Sequence, residues 1–281
     1  MVPDTLGVIG LGAVGGSIAW QAARSGVKRI IGYDTSTRDG AAAVKAGAVT
    51  EFAQGAQAVA KNSDFVVIAG SGERTLVWLE QVAALLLERG VYCTDVTGVK
   101  RPTVALAERL GLAPVFAGSH PFIGPEIDGF RSANPELVSG ALVYVTPVHH
   151  GDQAAAEVRD FWSRVIGANP VALDATQHDQ LLAWTTHLPQ AVSSALAAAL
   201  ASSGPHGVTY GEGAHETTRQ ADCGLDQWSE LLVTNRDNVL DALQHLTESV
   251  DGLKEALTMG DRKAVETWLA RGAKWRARFE S

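Results

Sequence analysis

The chain is 281 residues long, with 46% hydrophobic and 19% charged residues, a composition that suits a folded two-domain protein and excludes a disordered one. Its net charge of -8 argues against a general nucleic-acid-binding or anionic-membrane surface, so small molecules are the expected partners. Cys93 and Cys223 are too few for a disulfide framework, and no apolar run approaches the roughly 18 residues of a membrane span, so a cytoplasmic location is expected.

Strand-like sequence begins at Thr5, with no basic and apolar leader ahead of it. The run Thr5 to Gly10 meets Gly10-Leu11-Gly12-Ala13-Val14-Gly15, followed by a helical stretch to Arg24. In a strand-turn-helix context the first glycine permits a tight turn and the second lets a pyrophosphate approach the backbone. The third lets the helix pack close, with its N-terminus facing the phosphates. A second strand, Lys28 to Tyr33, ends in Asp34, where a carboxylate would accept from ribose hydroxyls. Asp34 would repel a 2′-phosphate, which favours NAD; Arg38 close by keeps NADP open.

Strand and helix signals then alternate. Strands are expected at Phe65 to Ala69, Val91 to Asp95, Ala113 to Ala117 and Ala141 to Thr146, and helices at Glu73 to Arg89, Pro102 to Leu110 and Gly151 to Ile166. This pattern predicts an α/β Rossmann-like domain with a largely parallel sheet over residues 1–172. The turns after its strands, including Gly70-Ser71-Gly72, Asp95-Val96-Thr97-Gly98 and Gly118-Ser119-His120, should line one crevice. The last continues as Pro121-Phe122-Ile123-Gly124-Pro125-Glu126, whose prolines and glycines predict a fixed loop carrying His120 and Glu126.

Residues 173–281 read as an all-α domain. Ala175 to Ala201 is helical with a kink at Pro189, beside His187. His187 is either a satisfied core histidine or a site residue. On an ideal helix His178 lies half a turn out of phase with it, so the two should not share a ligand, and His178 should simply belong to the first turn. A glycine-rich turn leads to Arg219, a surface cation or a carboxylate clamp. Helices at Asp226 to Leu253 and Arg262 to Phe279 close the chain, with faces suited to a bundle between domains or subunits. No pair of histidines lies i,i+4 on one helix, and there is no C-x-x-C or G-x-S-x-G, so no metal or activated nucleophile is expected.

Taken in order, G-L-G-A-V-G-G-S from Gly10, D-V-T-G-V-K from Asp95, G-S-H-P-F-I-G-P-E from Gly118, T-H-L-P-Q from Thr186, T-T-R-Q-A from Thr217 and Trp228 make the chain resemble the prephenate/arogenate dehydrogenases over nearly its whole length. The resemblance implies an NAD-binding domain followed by a helical domain that forms a homodimer. It implies oxidative decarboxylation of a cyclohexadienol in tyrosine biosynthesis, with hydride passing to NAD. His120 then matches the catalytic base and Arg219 the carboxylate-binding arginine. His187 and Gln190 match positions lining the substrate site, Glu126 an acidic position at its entrance, and Trp228 one that covers the pocket, either its own or that of the partner subunit. Gly10, Leu11, Gly12, Ala13, Val14, Gly15, Asp34, Ser71 and Thr97 would serve the cofactor.

Departures from the family pattern cluster at the substrate end. Gly98 stands where a serine is usual, with Thr97 the nearest substitute, and Gln190 stands where a histidine is common. Asp128 is placed to pair with the ammonium of arogenate, where prephenate has a keto group. Two rival readings are weighed. A β-hydroxyacid-type dehydrogenase would need a lysine on the first long helix of the second domain, and Ala175 to Ala201 contains none. A nucleotide-binding regulator without catalysis is the other.

Overall fold

The computed structural model describes residues 2–123, 129–205 and 208–279. Five strands form a parallel sheet: β1 (Thr5–Ile9), β2 (Arg29–Tyr33), β3 (Glu51–Phe52), β4 (Phe65–Ile68) and β5 (Tyr92–Asp95), in the order β3-β2-β1-β4-β5. β1 is buried along its whole length, as a central parallel strand covered on both faces must be. The crossovers are α1 (Ala13–Arg24), α2 (Thr37–Lys45), α3 (Ala56–Lys61) and α4 (Gly72–Arg89), with α5 (Arg101–Arg109) after β5. α4 shows why these segments are helices. Ser71 caps its start, Gly90 ends it in the left-handed region at φ +64°, and Thr75, Trp78, Leu79, Val82, Ala83 and Leu86 form one buried stripe.

Where parallel order was expected to continue, a second sheet appears. β6 (Ala117–Phe122) pairs antiparallel with β7 (Leu142–Pro147), and β7 pairs parallel with β8 (Asn169–Ala172). α6 (Asp152–Asp160) and a π-helical turn, Phe161–Ile166, fill the β7–β8 crossover. The run Ala113 to Ala117 is not the expected strand: Phe116 forms a lone bridge with Cys93, and β6 starts only at Ala117. His120 therefore stands on a strand, paired with Tyr144, and not on a loop. Pro121 fits there because β6 is the edge strand of its sheet, and among the described residues no strand pairs with it on the outer side at that position. Alternation along β6 sends Ser119 into the core and His120 to the crevice. Ser119 Oγ there accepts from Trp162 Nε1 at 2.9 Å.

The rest is helical: α7 (Ala175–Leu182), α8 (Leu188–Ser203), α9 (Glu212–Thr218), α10 (Leu225–Thr234), α11 (Arg236–Thr258) and α12 (Arg262–Arg276). The kink expected at Pro189 takes the form of a π-helical turn, Ala183–His187, between α7 and α8. The proline cannot donate back to the preceding turn, and the widened turn absorbs the missing bond. The single helix expected over Asp226 to Leu253 is instead two, broken at Asn235. Two apolar layers sandwich the parallel sheet. Trp162, Phe161, Ile18 and Ala19 lie on one face; Trp78, Leu79, Val82 and Leu86 lie on the other.

Candidate active site

The strand order reverses between β1 and β4, and in sheets of this kind a ligand crevice lies outside the carboxyl ends of the strands at that point. Gly10 has φ +97°, and a Cβ on it would lie 2.2 Å from the carbonyl oxygen of Ala69. A Cβ on Gly15 would lie 1.9 Å from the carbonyl oxygen of Gly10. Only glycine fits either place. Above Gly12, by contrast, there is open space, and α1 begins there with no side chain capping its amides. That free helix N-terminus is an anion cradle. Asp34 is held at the end of β2 by the amides of Leu11 and Ser36, at 2.6 and 2.7 Å. Leu11 itself is buried and packs over Gly32, while Ala13 and Val14 open α1. Ser71 caps α4 on the other lip, where Arg74 bonds the hydroxyl of Thr35 and stacks over Trp78. An open glycine turn, an uncapped helix start and a carboxylate at the next strand end fit a dinucleotide.

Deeper in, the Asp95 to Lys100 turn is braced from within. Asp95 Oδ2 accepts from Lys100 Nζ at 2.5 Å, from the Thr97 amide at 3.0 Å and from Thr97 Oγ1 at 2.5 Å. Lys100 Nζ also donates to the Ser119 carbonyl at 2.5 Å, which ties the turn to β6. Lys100 is fully buried, and burial pulls its pKa down against the upward pull of Asp95. The Thr97 hydroxyl faces Asp95 and so is turned away from the place where it was expected to stand in for the missing serine. That place is filled otherwise: a Cβ on Gly98 would come within 2.8 Å of Leu231 Cδ2 and 3.8 Å of His120 Nε2.

His120 is half-buried beside this turn. Its Nδ1 lies 2.9 Å from His178 Nε2, and His178 Nδ1 lies 2.8 Å from Asp179 Oδ1. Burial, aided by His178, Lys100 and His187, holds His120 well below the ordinary histidine range. Burial also lowers His178, against the pull of Asp179. His187 is buried, with its Nδ1 3.1 Å from Asn235 Nδ2, and its pKa is pushed down to about 4, chiefly by burial. Trp228 stands edge-on to His187, 6.1 Å between ring centres, within the same chain.

Arg219 lies in a short 3-10 turn, Arg219–Ala221, exposed and paired with no carboxylate among the described residues. Gln190 Nε2 donates to the Gln220 carbonyl at 2.7 Å and so fastens that turn to α8. Glu126 and Asp128 fall outside the described residues.

His178, Asp179 and Asn235 were missed in the sequence. His178 was set aside as out of phase with His187, but the π-turn between them changes that phase. Both histidines connect to Asp179, one to its carboxylate and one, through Asn235, to its backbone carbonyl. The one available signal was the adjacency of a histidine and an aspartate at a helix start.

Comparison with known proteins agrees with this geometry. Residues 18–170 match the model of the prephenate dehydrogenase nucleotide-binding domain, and residues 174–271 match that of the prephenate dehydrogenase dimerization domain. The chain belongs to the prephenate dehydrogenase family. The prephenate dehydrogenase of Bacillus subtilis is 29% identical over 272 residues, 92% of this chain and 71% of that protein. A cyclohexadienyl dehydrogenase of Zymomonas mobilis is 27% identical, over 91% of this chain and 89% of that one. The crystal structure of the A. aeolicus prephenate dehydrogenase, in complex with hydroxyphenyl propionate and NAD+, superposes with a TM-score of 0.85 at 25% identity, covering 98% of each chain. As a member of this family the chain is a dehydrogenase, an oxidoreductase with a nucleotide-binding domain.

Proposed function

We propose that the protein oxidatively decarboxylates prephenate to 4-hydroxyphenylpyruvate, with arogenate as the alternative substrate, and passes hydride to NAD. The observation that carries this reading is the position of His120. It stands on the crevice wall beside the Asp95 to Lys100 turn, with its pKa held low enough to stay neutral near pH 7. A neutral imidazole accepts a proton, and the hydroxyl it faces becomes acidic only as hydride leaves the same carbon. NAD, when bound, supplies the hydride acceptor. Gly10, Leu11, Gly12, Ala13, Val14 and Gly15 would hold its pyrophosphate, Asp34 its ribose, and Ser71 and the Thr97 backbone the near side of the crevice.

Arg219 is exposed and has no carboxylate partner among the described residues, as a carboxylate clamp awaiting its ligand would be. His187 and Trp228 would complete the wall opposite His120, with Gln190 behind them holding the Arg219 turn. Residues 1–172 would form the cofactor domain and 173–281 the domain of dimerisation. Leu225, Leu240 and Leu257 are 79%, 62% and 61% exposed, apolar area that a second copy would cover. We place the protein in the cytoplasm on its cysteine content.

The test is absorbance at the NADH band with prephenate and arogenate, each with NAD and NADP. Turnover should require His120. His120→Asn is expected to lower kcat on the order of 10³-fold while NAD still binds. Arg219→Ala is expected to raise KM by about 10²-fold with a smaller change in kcat. Near-normal turnover in His120→Asn would remove the base assignment.

A further inference from the structure

His120 ends a line of hydrogen bonds that begins at a helix N-terminus, and the direction of each bond is set by its neighbour. Asp179 accepts from the amides of Lys100 and Arg101 at the start of α5, at 2.8 and 2.9 Å. Burial alone would raise its carboxyl, but these amides and His178 outweigh that and hold it below its ordinary range. An ionised carboxylate only accepts, so the hydrogen between Asp179 and His178 sits on His178 Nδ1. A neutral His178 then has a bare Nε2, which accepts from His120 Nδ1–H. Neutral His120 is left with its lone pair on Nε2, the nitrogen that faces Gly98.

A second branch leaves Asp179 through its backbone carbonyl, which accepts from Asn235 Nδ2 at 2.7 Å. A carbonyl cannot donate, so this bond identifies the amide nitrogen of Asn235. Asn235 Oδ1 accepts in turn from Asn238 Nδ2. The same Asn235 nitrogen reaches His187 Nδ1, which must therefore accept. A neutral His187 then carries its hydrogen on Nε2.

We propose that Asp179 is a positioning residue that sets opposite tautomers on the two site histidines, so that His120 Nε2 accepts the substrate's hydroxyl proton and His187 Nε2–H donates to a substrate oxygen. This deepens the function proposed above and rests on it. In the step, the C–H pair passes as hydride to NAD, the O–H pair becomes the second bond of the new carbonyl, and the proton binds His120 Nε2. The ring carboxylate then leaves as carbon dioxide, its C–C pair makes the ring aromatic, and the ring oxygen takes a proton back. The charge gained by His120 is shared through Nδ1–H with His178 and is faced by Asp179, which stays ionised. Other groups around the two rings are Lys100 and Asp95 on one side, Tyr144 and Phe122 on the other, and His187 beyond. Lys100 opposes protonation of His120, and Asp179, which raises His178 directly, would favour it through the His178 ring.

Asp179 also caps α5, so the test must separate capping from tautomer control. In the full-length protein with NAD bound, Asp179→Asn should lower kcat on the order of 10³-fold or more. KM for prephenate should change by less than about threefold, and the acid limb of kcat/KM should move to lower pH, because no carboxylate then favours the imidazolium. His178→Gln keeps an acceptor for His120 Nδ1–H and should stay within about tenfold of wild type. Nitrogen-15 NMR of labelled histidines reads the tautomers directly. The wild type should show His120 bare and His187 protonated at Nε2. A proton on His120 Nε2, or a folded Asp179→Asn that keeps wild-type kcat, overturns the proposal. If Asp179→Asn does not fold, the wild-type spectrum decides. If neither prephenate nor arogenate is turned over by the wild type, the function reading fails, and the spectrum still decides the relay.

Discussion

Gly98 stands where the resemblance predicts a serine, and the structure supplies a physical partner for the glycine. Leu231 projects its δ-methyl into the space where a side chain would stand, beside His120 Nε2. An apolar group there keeps water from the proposed base and offers the substrate hydroxyl no second hydrogen bond. Gly98→Ser would push into Leu231, whose flexible end can yield at a cost of about 1 kcal/mol. The expected outcome in steady-state kinetics is a loss of about three- to tenfold in kcat/KM for Gly98→Ser. Gly98→Ser with Leu231→Ala should recover most of it, and a single variant faster than wild type would show the two residues to be uncoupled. Gln190, the other departure, does not point a free amide at the site. It holds the Arg219 turn, so its influence on substrate passes through Arg219.

Among the elements, the break at Asn235 and the π-turn Ala183–His187 act together. Without the break, no side chain would reach both the Asp179 carbonyl and His187. Without the π-turn, His187 would face away from the His178 side of the helix. Asn235 is fully buried, and Asn235→Ala leaves a carbonyl and an imidazole nitrogen without a donor. The expected cost is about 2–3 kcal/mol, read as a lower urea midpoint with unchanged slope. An unchanged midpoint would mean that water replaces the amide. β1, β2, β4, β5 and β7 and the helices α1, α4, α5 and α6 were legible from apolar runs and helical spacing, because a buried strand and an amphipathic helix each leave a local period in the sequence. The short elements α2, β3, α3 and β8 were passed over, and β6 was read as something else. Its glycine and proline read as a loop, and only the partner strand β7, twenty-odd residues away in sequence, makes an extended edge conformation stable.

For the molecule as a whole, the buried histidines predict acid sensitivity. His120, His178 and His187 all have pKa values lowered on folding. Below about pH 6.5 the unfolded chain takes up protons that the native state refuses, so stability present above that pH is lost as pH falls toward the folded values. For His187, with a folded value of about 4, the loss at pH 5.5 is about 1.4 kcal/mol. Calorimetry should show a Tm several degrees lower at pH 5.5 than at pH 7.5, and His187→Gln should flatten that slope. A Tm independent of pH over this range would place the histidines in contact with solvent. The two halves are also joined across the crevice, by Asp179 at the start of α5 and by Glu230, which accepts from the Glu73 amide at 2.8 Å at the start of α4. Substrate would thus bind against a junction that is already stitched at two helix N-termini.

The sequence by itself determined the α/β and helical halves and the glycine turn with Asp34, since a buried strand, an amphipathic helix and a glycine-rich turn are local patterns; its resemblance to a family is what singled out His120, His187, Arg219 and Trp228. Only the tertiary structure decided that His120 stands on a strand, that Leu231 fills the place above Gly98, and that His178, Asp179 and Asn235 join two histidines into one network. Those are contacts between residues far apart in the chain, and their geometry depends on a π-turn and a helix break that leave no period to read.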